Sequence, residues 1–336
     1  MESLKIKDQS SSVINIALTI YDPSGTYTRH AGVVIASVLR NTQTPVCFYI
    51  LHDETLSADN QNKILETYRS NASSDVGGVH FLDISEHFDG YKTPDVDEMC
   101  RRFTRGSLYR LCIHEILPEL QGVIYLDCDI VVHLDIYNLW KEYMDDGGRH
   151  TICGVYGNRG SSTPDMTVPR EEIVTDKRGL NRERYINSGV LVLNLARLRE
   201  KYRKGSMLNE AVNYTKRFRS RTPDQDFINA EFIGDILYVD QKYNFAPDRV
   251  YDDVFSLDRI WHFYLKGKPW QMVTVSNADK LYWHYLMYTP RHDEIVDSFY
   301  NAAVNNMYYH RHSRDCINRL LRRFTDNIMN LKRIFK

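Results

Sequence analysis

Short apolar runs rich in β-branched residues alternate along the first half of the chain with segments whose apolar positions recur every three or four residues. The run 13–20 reads as a buried strand closed by the turn formers Asp22, Pro23, Ser24 and Gly25. Ala31, Val34, Ile35, Val38 and Leu39 then fall at helical spacing, and Asn41 with Pro45 marks the stop. A strand over 46–51, a helix over 57–68 with Ser57 as N-cap, and a strand over 79–84 follow. The spacing predicts a helix over 105–117 leading into a strand over 122–126, which ends at Asp127-Cys128-Asp129. Between 145 and 184 the periodicity dissolves among Gly147, Gly148, Gly157, Gly160, Pro164 and Pro169, which predicts a functional lid or binding loop. Order resumes with a strand over 190–195, helices near 198–217 and 224–232, and a strand over 236–239. Alternation of this kind predicts an α/β fold with a mostly parallel sheet covered on both faces.

The last segment has a different pattern. Ile317, Leu320, Leu321, Phe324, Ile328, Leu331 and Phe335 form one apolar helical stripe, and Arg and Lys far outnumber Asp315 and Asp326 around it. That composition suits a basic amphipathic helix lying on an anionic membrane surface; a helix packed on the main domain with a solvated basic face is the alternative. The expected organisation is therefore a flexible polar leader over 1–12, a catalytic domain over 13–275 and a C-terminal helical extension over 276–336. The 43 basic and 44 acidic residues nearly cancel, which argues against a nucleic-acid partner. Six scattered cysteines without a C-x-x-C pair, no signal-peptide pattern and no apolar run of membrane-spanning length point to a cytoplasmic protein, peripheral on the inner face of a membrane if the last helix binds there.

Asp127 and Asp129 are the sharpest chemical feature, an acidic pair set between buried runs. Such a pair needs a compensating cation or hydrogen bonds, and oxygen ligands suit Mn²⁺ or Mg²⁺. The stretch also resembles the signature of haloacid-dehalogenase phosphohydrolases, with Asp127 as nucleophile and Asp235 and Asp240 as the later acidic motif. Two further motifs have no place in that reading. Asn187-Ser188-Gly189, just before a buried run, permits close backbone approach to a ligand and offers an amide to sugar hydroxyls. Near 261–270, His262 offers an imidazole ligand and Lys268, held by Pro269, a cation for a diphosphate.

In order, Asp127-x-Asp129, Asn187-Ser188-Gly189, Asp224-Gln225-Asp226 and His262 with Lys268-Pro269-Trp270 resemble glycosyltransferase family 8, the retaining group of glycogenin and the lipooligosaccharide galactosyl- and glucosyltransferases. The resemblance implies a GT-A fold with a Rossmann-like mixed sheet, Mn²⁺, a UDP-glucose or UDP-galactose donor and a glycan acceptor. It implies that Asp127, Asp129 and His262 ligate the metal and that Lys268 and Arg110 meet the diphosphate or donor sugar. By the same likeness Asn187, Ser188 and Gly189 line the sugar, with Asp224 on its hydroxyls and Gln225 near the anomeric carbon, and Cys128 lies in the donor site. Thr19, Ile20, Tyr21 and Asp22 would cradle the uridine, although the longer turn after Asp22 departs from the family pattern. Leu265 stands where the family often has glycine, so a backbone phosphate contact is expected either at Gly267 or not at all. A lipid-linked or cell-envelope glycan precursor is the expected acceptor, with a glycosylated surface protein as rival. A catalytically silent sugar-nucleotide-binding subunit is the remaining alternative.

Overall fold

A computed structural model describes residues 13–304, apart from 92–93, 101–103, 158–162, 204–205, 248–249, 251, 265–267, 272–275, 298–299 and 302–303. The leader 1–12 and the basic stripe over 311–336 lie outside the described residues. Nine strands are described: β1 (Ile14–Ile20), β2 (Val46–His52), β3 (Gly78–Asp83), β4 (Gly122–Leu126), β5 (Ile130–His133), β6 (Ile152–Tyr156), β7 (Ile186–Asn194), β8 (Ile236–Tyr238) and β9 (Arg259–His262). Seven of them form one sheet in the order β3-β2-β1-β4-β7-β6-β8, and β5 pairs with β9 in a second, two-stranded sheet.

The main sheet is mixed. β3, β2, β1 and β4 run parallel, as the strand–helix alternation predicts, whereas β7 runs antiparallel to both β4 and β6. β1, β2 and β4 are buried along their whole length, so their near-continuous apolar runs meet cover on both faces. One face carries the cluster built around Tyr49, Leu111, Tyr125, Leu191 and Phe227, the other a cluster around Ile16, Val34, Ile50, Ile124 and Val192.

Helix Thr28–Asn41 lies buried along most of its length and starts where Asp22 collects the free amides of its entrance. The Asp22 carboxylate accepts from the N–H groups of Thr26 (2.9 Å), Tyr27 (2.8 Å) and Thr28 (2.8 Å) and from the Thr28 hydroxyl (2.6 Å). Burial alone would raise its pKa, but these bonds hold it below the usual carboxylate range. Ser57 caps helix Ala58–Asn71 through the Asn60 N–H at 3.2 Å, as its position in the sequence predicts. The helix expected over 105–117 is broken into Gly106–Tyr109, a 3-10 turn Arg110–Cys112 and Ile113–Ile116. Strand β7 begins four residues earlier than expected, because Ile186 pairs with Tyr156 of β6. Asn187, Ser188 and Gly189 are thus strand residues rather than a preceding turn.

Past residue 275 the described segment 278–295 packs on the body. Helix Asp279–Leu286 joins Val33, Val131 and Trp261 in a third apolar cluster. Tyr282 bonds His30 Nδ1 at 2.7 Å, and Tyr285 bonds both Asn41 (2.7 Å) and His133 (2.6 Å). His30 also stacks on Trp270 with ring centroids 3.9 Å apart, which anchors the segment that carries Lys268. No helix among the described residues is long and apolar enough to cross a membrane.

Burial pushes the His30 imidazole from its ordinary 6.5 down to about 3. The folded protein keeps this ring neutral while the unfolded chain protonates it, so its contribution to stability is complete above about pH 6.5 and is lost progressively as the pH falls towards 3. Denaturant unfolding at pH 7.5 and 5 should show about 2 kcal/mol of acid destabilisation from this ring. His30→Asn, which keeps a hydrogen-bonding group near Nδ1 without titrating, should remove that share; an unchanged pH dependence would contradict it.

Candidate active site

The carboxyl ends of β1 and β4 open into a cavity of about 520 Å³, where ligands collect in open α/β sheets. The β4–β7 ladder continues one step past Leu126, since the Asp127 N–H donates to Gly189 O at 2.8 Å. Cys128 turns inward, its thiol 3.7 Å from the Thr19 carbonyl, and β5 starts two residues later. Asp127 and Asp129 are left facing the cleft from either side of this buried cysteine.

His262 arrives from 133 residues away because β9 pairs antiparallel with β5 in a register that sets His262 opposite Ile130. Its Nε2 lies 3.1 Å from Asp129 Oδ1 and 3.6 Å from Asp127 Oδ2. Nδ1 meets Asn244 Oδ1 at 2.9 Å, and an amide oxygen only accepts, so Nδ1 donates there and Nε2 is the ring nitrogen that faces the carboxylates. The Asn244 amide is itself oriented by donating to Asn187 Oδ1 at 3.0 Å, which also accepts the Gly189 N–H at 3.0 Å. One ligand atom each from Asp127, Asp129 and His262 lies within 4.8 Å of the others. Two carboxylates and an imidazole fixed through its far nitrogen are a donor set that fits a divalent cation.

Two cations flank the acidic pair. Arg110, buried in the 3-10 turn, donates Nη2 to Asp127 Oδ1 at 2.8 Å and Nη1 to Ser188 O at 2.6 Å, and lies 3.4 Å from Asp224 Oδ2. Burial opposes its charge, yet Asp127, Tyr125 and Asp224 outweigh that and raise its pKa. Lys268 Nζ meets Asp129 Oδ2 at 2.5 Å and the Phe263 carbonyl. Burial would raise the Asp129 pKa, but His262 and Lys268 hold it well below the usual carboxylate range. Tyr125 adds a hydroxyl at 2.6 Å from Asp127 Oδ1 and 3.1 Å from Thr19 Oγ1.

Across the cleft, Pro223 opens helix Pro223–Glu231, placing Asp224 and Gln225 in its first turn. Asp224 accepts the Ser188 hydroxyl at 3.0 Å, and burial raises its pKa. The Gln225 amide is engaged at both ends: Oε1 accepts the Ser188 N–H at 3.0 Å and Nε2 donates to the Tyr185 hydroxyl at 3.1 Å.

Thr19, Arg110, Asp127, Cys128, Asp129, Asn187, Ser188, Asp224, Gln225, His262 and Lys268 therefore come together around one cleft. Gly189 lies directly beneath His262. Ile20 is buried in the core, Tyr21 packs against the opposite cluster and the Asp22 carboxylate is spent on its own loop, so these three lie outside the lining. Gly267 lies outside the described residues. Asp235 bonds Thr151 and Asp240 caps Lys242, so the acidic residues that favoured a phosphohydrolase are strand-end anchors away from the cleft. Sequence reasoning missed Asn244 and Tyr185, whose partners lie far along the chain, and Tyr125, which bonds both nearby Asp127 and distant Thr19.

A mixed sheet of this order with an acidic pair at the end of a central strand is the GT-A architecture of glycosyltransferases. The chain belongs to glycosyltransferase family 8, whose family model, Glycosyl transferase family 8, matches residues 18–274. It is 23% identical to General stress protein A of Bacillus subtilis over 78% of this chain and 90% of that protein. It is 24% identical to a putative glycosyltransferase of Haemophilus influenzae over 70% of this chain and 64% of that protein. In fold it is similar to the galactosyltransferase LgtC, with a TM-score of 0.62 at 21% identity over 82% of this chain and 96% of that one. The bifunctional glycosyltransferase WbbM gives a TM-score of 0.64 at 16% identity over 86% of this chain and 52% of that one. The protein is thus a transferase of a family that takes sugars from nucleotide-sugar donors.

Gly189 has no room for a side chain. A Cβ there would sit 2.1 Å from His262 Cε1 and 2.6 Å from Asp127 Oδ2. Gly189→Ala should therefore displace the imidazole and cost about 1–3 kcal/mol in denaturant unfolding; a variant as stable as the parent would show that the close approach is absent.

Proposed function

We propose that this protein is a retaining hexosyltransferase that moves glucose or galactose from a UDP-sugar to a glycan acceptor with Mn²⁺, or Mg²⁺ in its place. The observation that carries this reading is the convergence of Asp127, Asp129 and His262 between Arg110 and Lys268 at one cleft. A divalent ion held by those three residues would neutralise the charge that builds on the departing diphosphate.

The chain's own groups supply the rest. Lys268, which pairs with Asp129, would add a second positive charge on the diphosphate side. Arg110 holds Asp127 and Asp224 in place and stands ready for the donor sugar. Asn187, Ser188 and Asp224 offer an amide, a hydroxyl and a carboxylate to sugar hydroxyls, holding the anomeric carbon in place. Thr19 takes part at the nucleoside end, while Asp22 supports it from behind by shaping the loop. Gly267 remains a proposed backbone contact to phosphate.

Retention requires attack from the face that UDP leaves, or a protein nucleophile on the opposite face. Gln225 has its carbonyl oxygen occupied and Asp224 is tied to Arg110 and Ser188. These restraints favour same-face attack by the acceptor hydroxyl, with a phosphate oxygen taking its proton. A lipid-linked or cell-envelope precursor is the proposed acceptor, and the basic stripe over 311–336 supports peripheral attachment to an anionic membrane facing the cytoplasm.

Calorimetry should register UDP binding that depends on Mn²⁺, and His262→Ala or Asp129→Asn should weaken Mn²⁺ binding by about 100-fold or more. Lys268→Ala should lower kcat for UDP-sugar hydrolysis about 10²–10³-fold with a smaller change in KM. UDP binding indifferent to the metal would contradict the metal reading, and binding without any turnover would favour a silent sugar-nucleotide-binding subunit. Removing residues 313–336 should abolish cosedimentation with anionic vesicles and spare hydrolysis; retained cosedimentation would end the membrane proposal.

A further inference from the structure

Beyond the Gln225 side of the donor cleft lies a second cavity, of about 550 Å³, walled by the irregular segment near 178–185 and the turn 218–222. Thr222 lines both cavities. Tyr185, in the wall of the second, accepts a hydrogen bond from Gln225, in the wall of the first. A ligand in this basin therefore ends beside the residue proposed to lie near the anomeric carbon.

The basin is strongly basic. Arg178, Arg182, Arg219 and Arg221 face one carboxylate, that of Asp226. Asp226 is buried and already accepts the hydroxyls of Tyr185 and Ser220, each at 2.6 Å. Arg178 is held by Asp176 at 3.0 Å and lies 3.8 Å from Asp226, whereas Arg182, Arg219 and Arg221 are exposed and have no carboxylate partner among the described residues. Like charges gathered in one concavity repel each other, and an oxyanion bound between them would relieve that repulsion.

Arg219 adds an independent observation. It ends helix Met207–Phe218 in the left-handed conformation, φ 50° and ψ 46°, a place where glycine is the ordinary residue, and it is the one non-glycine residue with positive φ among those described. The strained backbone delivers a guanidinium to the cavity where a relaxed glycine would deliver nothing.

We propose that this basin is the acceptor subsite and that it selects an anionic acceptor, a glycan bearing a phosphate or carboxylate close to the hydroxyl that receives the sugar. Arginine forks match the paired oxygens of both groups. The proposal rests on the donor reading of the neighbouring cleft, so its test measures both sites in the same protein.

The full chain is first saturated with UDP and Mn²⁺, which fills the diphosphate site, and is then titrated with glucose 6-phosphate, glucuronate, glucose and inorganic phosphate. Glucose 6-phosphate or glucuronate should bind more tightly than glucose or phosphate alone, and the affinity should fall as salt is raised. The triple variant Arg182→Ala/Arg219→Ala/Arg221→Ala should lose at least about tenfold in that affinity, with affinity for UDP and Mn²⁺ unchanged. Arg219→Gly should also weaken the anionic sugar while raising the melting temperature, a pairing that a merely damaged fold would not give. Equal binding by the triple variant, a preference for glucose, or inorganic phosphate binding as tightly as its sugar ester would overturn the proposal. Failure of the first step, with no UDP binding in Mn²⁺, would remove the donor reading and the acceptor assignment with it.

Discussion

Two carboxylates at the end of a buried strand must be neutralised, and the arrangement of the molecule around that strand follows from how this is done. Asp127 and Asp129 lie between apolar runs that pass through the core, so their charges depend on groups brought from elsewhere. Arg110 comes from a broken helix before β4, Lys268 from the segment pinned by Trp270 on His30, and His262 from a strand pair outside the main sheet. Each is fixed by packing rather than by the acidic pair itself. Removing any one partner leaves a charge in place without its counterion, which is costlier than never having buried the pair.

The groups that neutralise the pair are also arranged as a possible ligand set. Asn244 accepts from the far nitrogen of His262, so the near one is turned to the two carboxylates and meets Asp129 at 3.1 Å. The same imidazole and carboxylates would serve as ligands around a divalent ion. The glycosyltransferase fold thus brings together three donor side chains that could hold a divalent ion. Beside it, Ser188 ties the opposite wall to the same strand through Asp224 and Gln225, so both walls of the cleft are referenced to β7. Gly189 makes this possible by letting β7 pass directly under the imidazole.

Much of this was legible in the sequence, for local reasons. The β-branched runs of β1, β2 and β4 are buried on both faces, so they stand out as continuous apolar strings, and Ser57 caps its helix as a serine before an apolar period should. The acidic pair was visible because burial makes adjacent carboxylates conspicuous. Other features depend on non-local pairing. β5 and β9 are four residues each and owe their existence to each other. β6 is interrupted by Gly154, which leaves room for Ile186 of the partner strand, and so it was lost inside the stretch read as a loop. Asn244 resembles any turn asparagine until the fold brings His262 to it. Asp22 looked like a ligand contact because an acidic residue after a first strand has that look, yet the helix entrance six residues on consumes its oxygens.

The metal centre is tested most directly by anomalous diffraction from crystals grown with UDP and Mn²⁺. A manganese peak is expected within bonding distance of a carboxylate oxygen from each of Asp127 and Asp129 and of His262 Nε2, with the UDP phosphates on its open side. A peak elsewhere, or UDP bound in the cleft with those three side chains turned from any metal, would contradict the assignment.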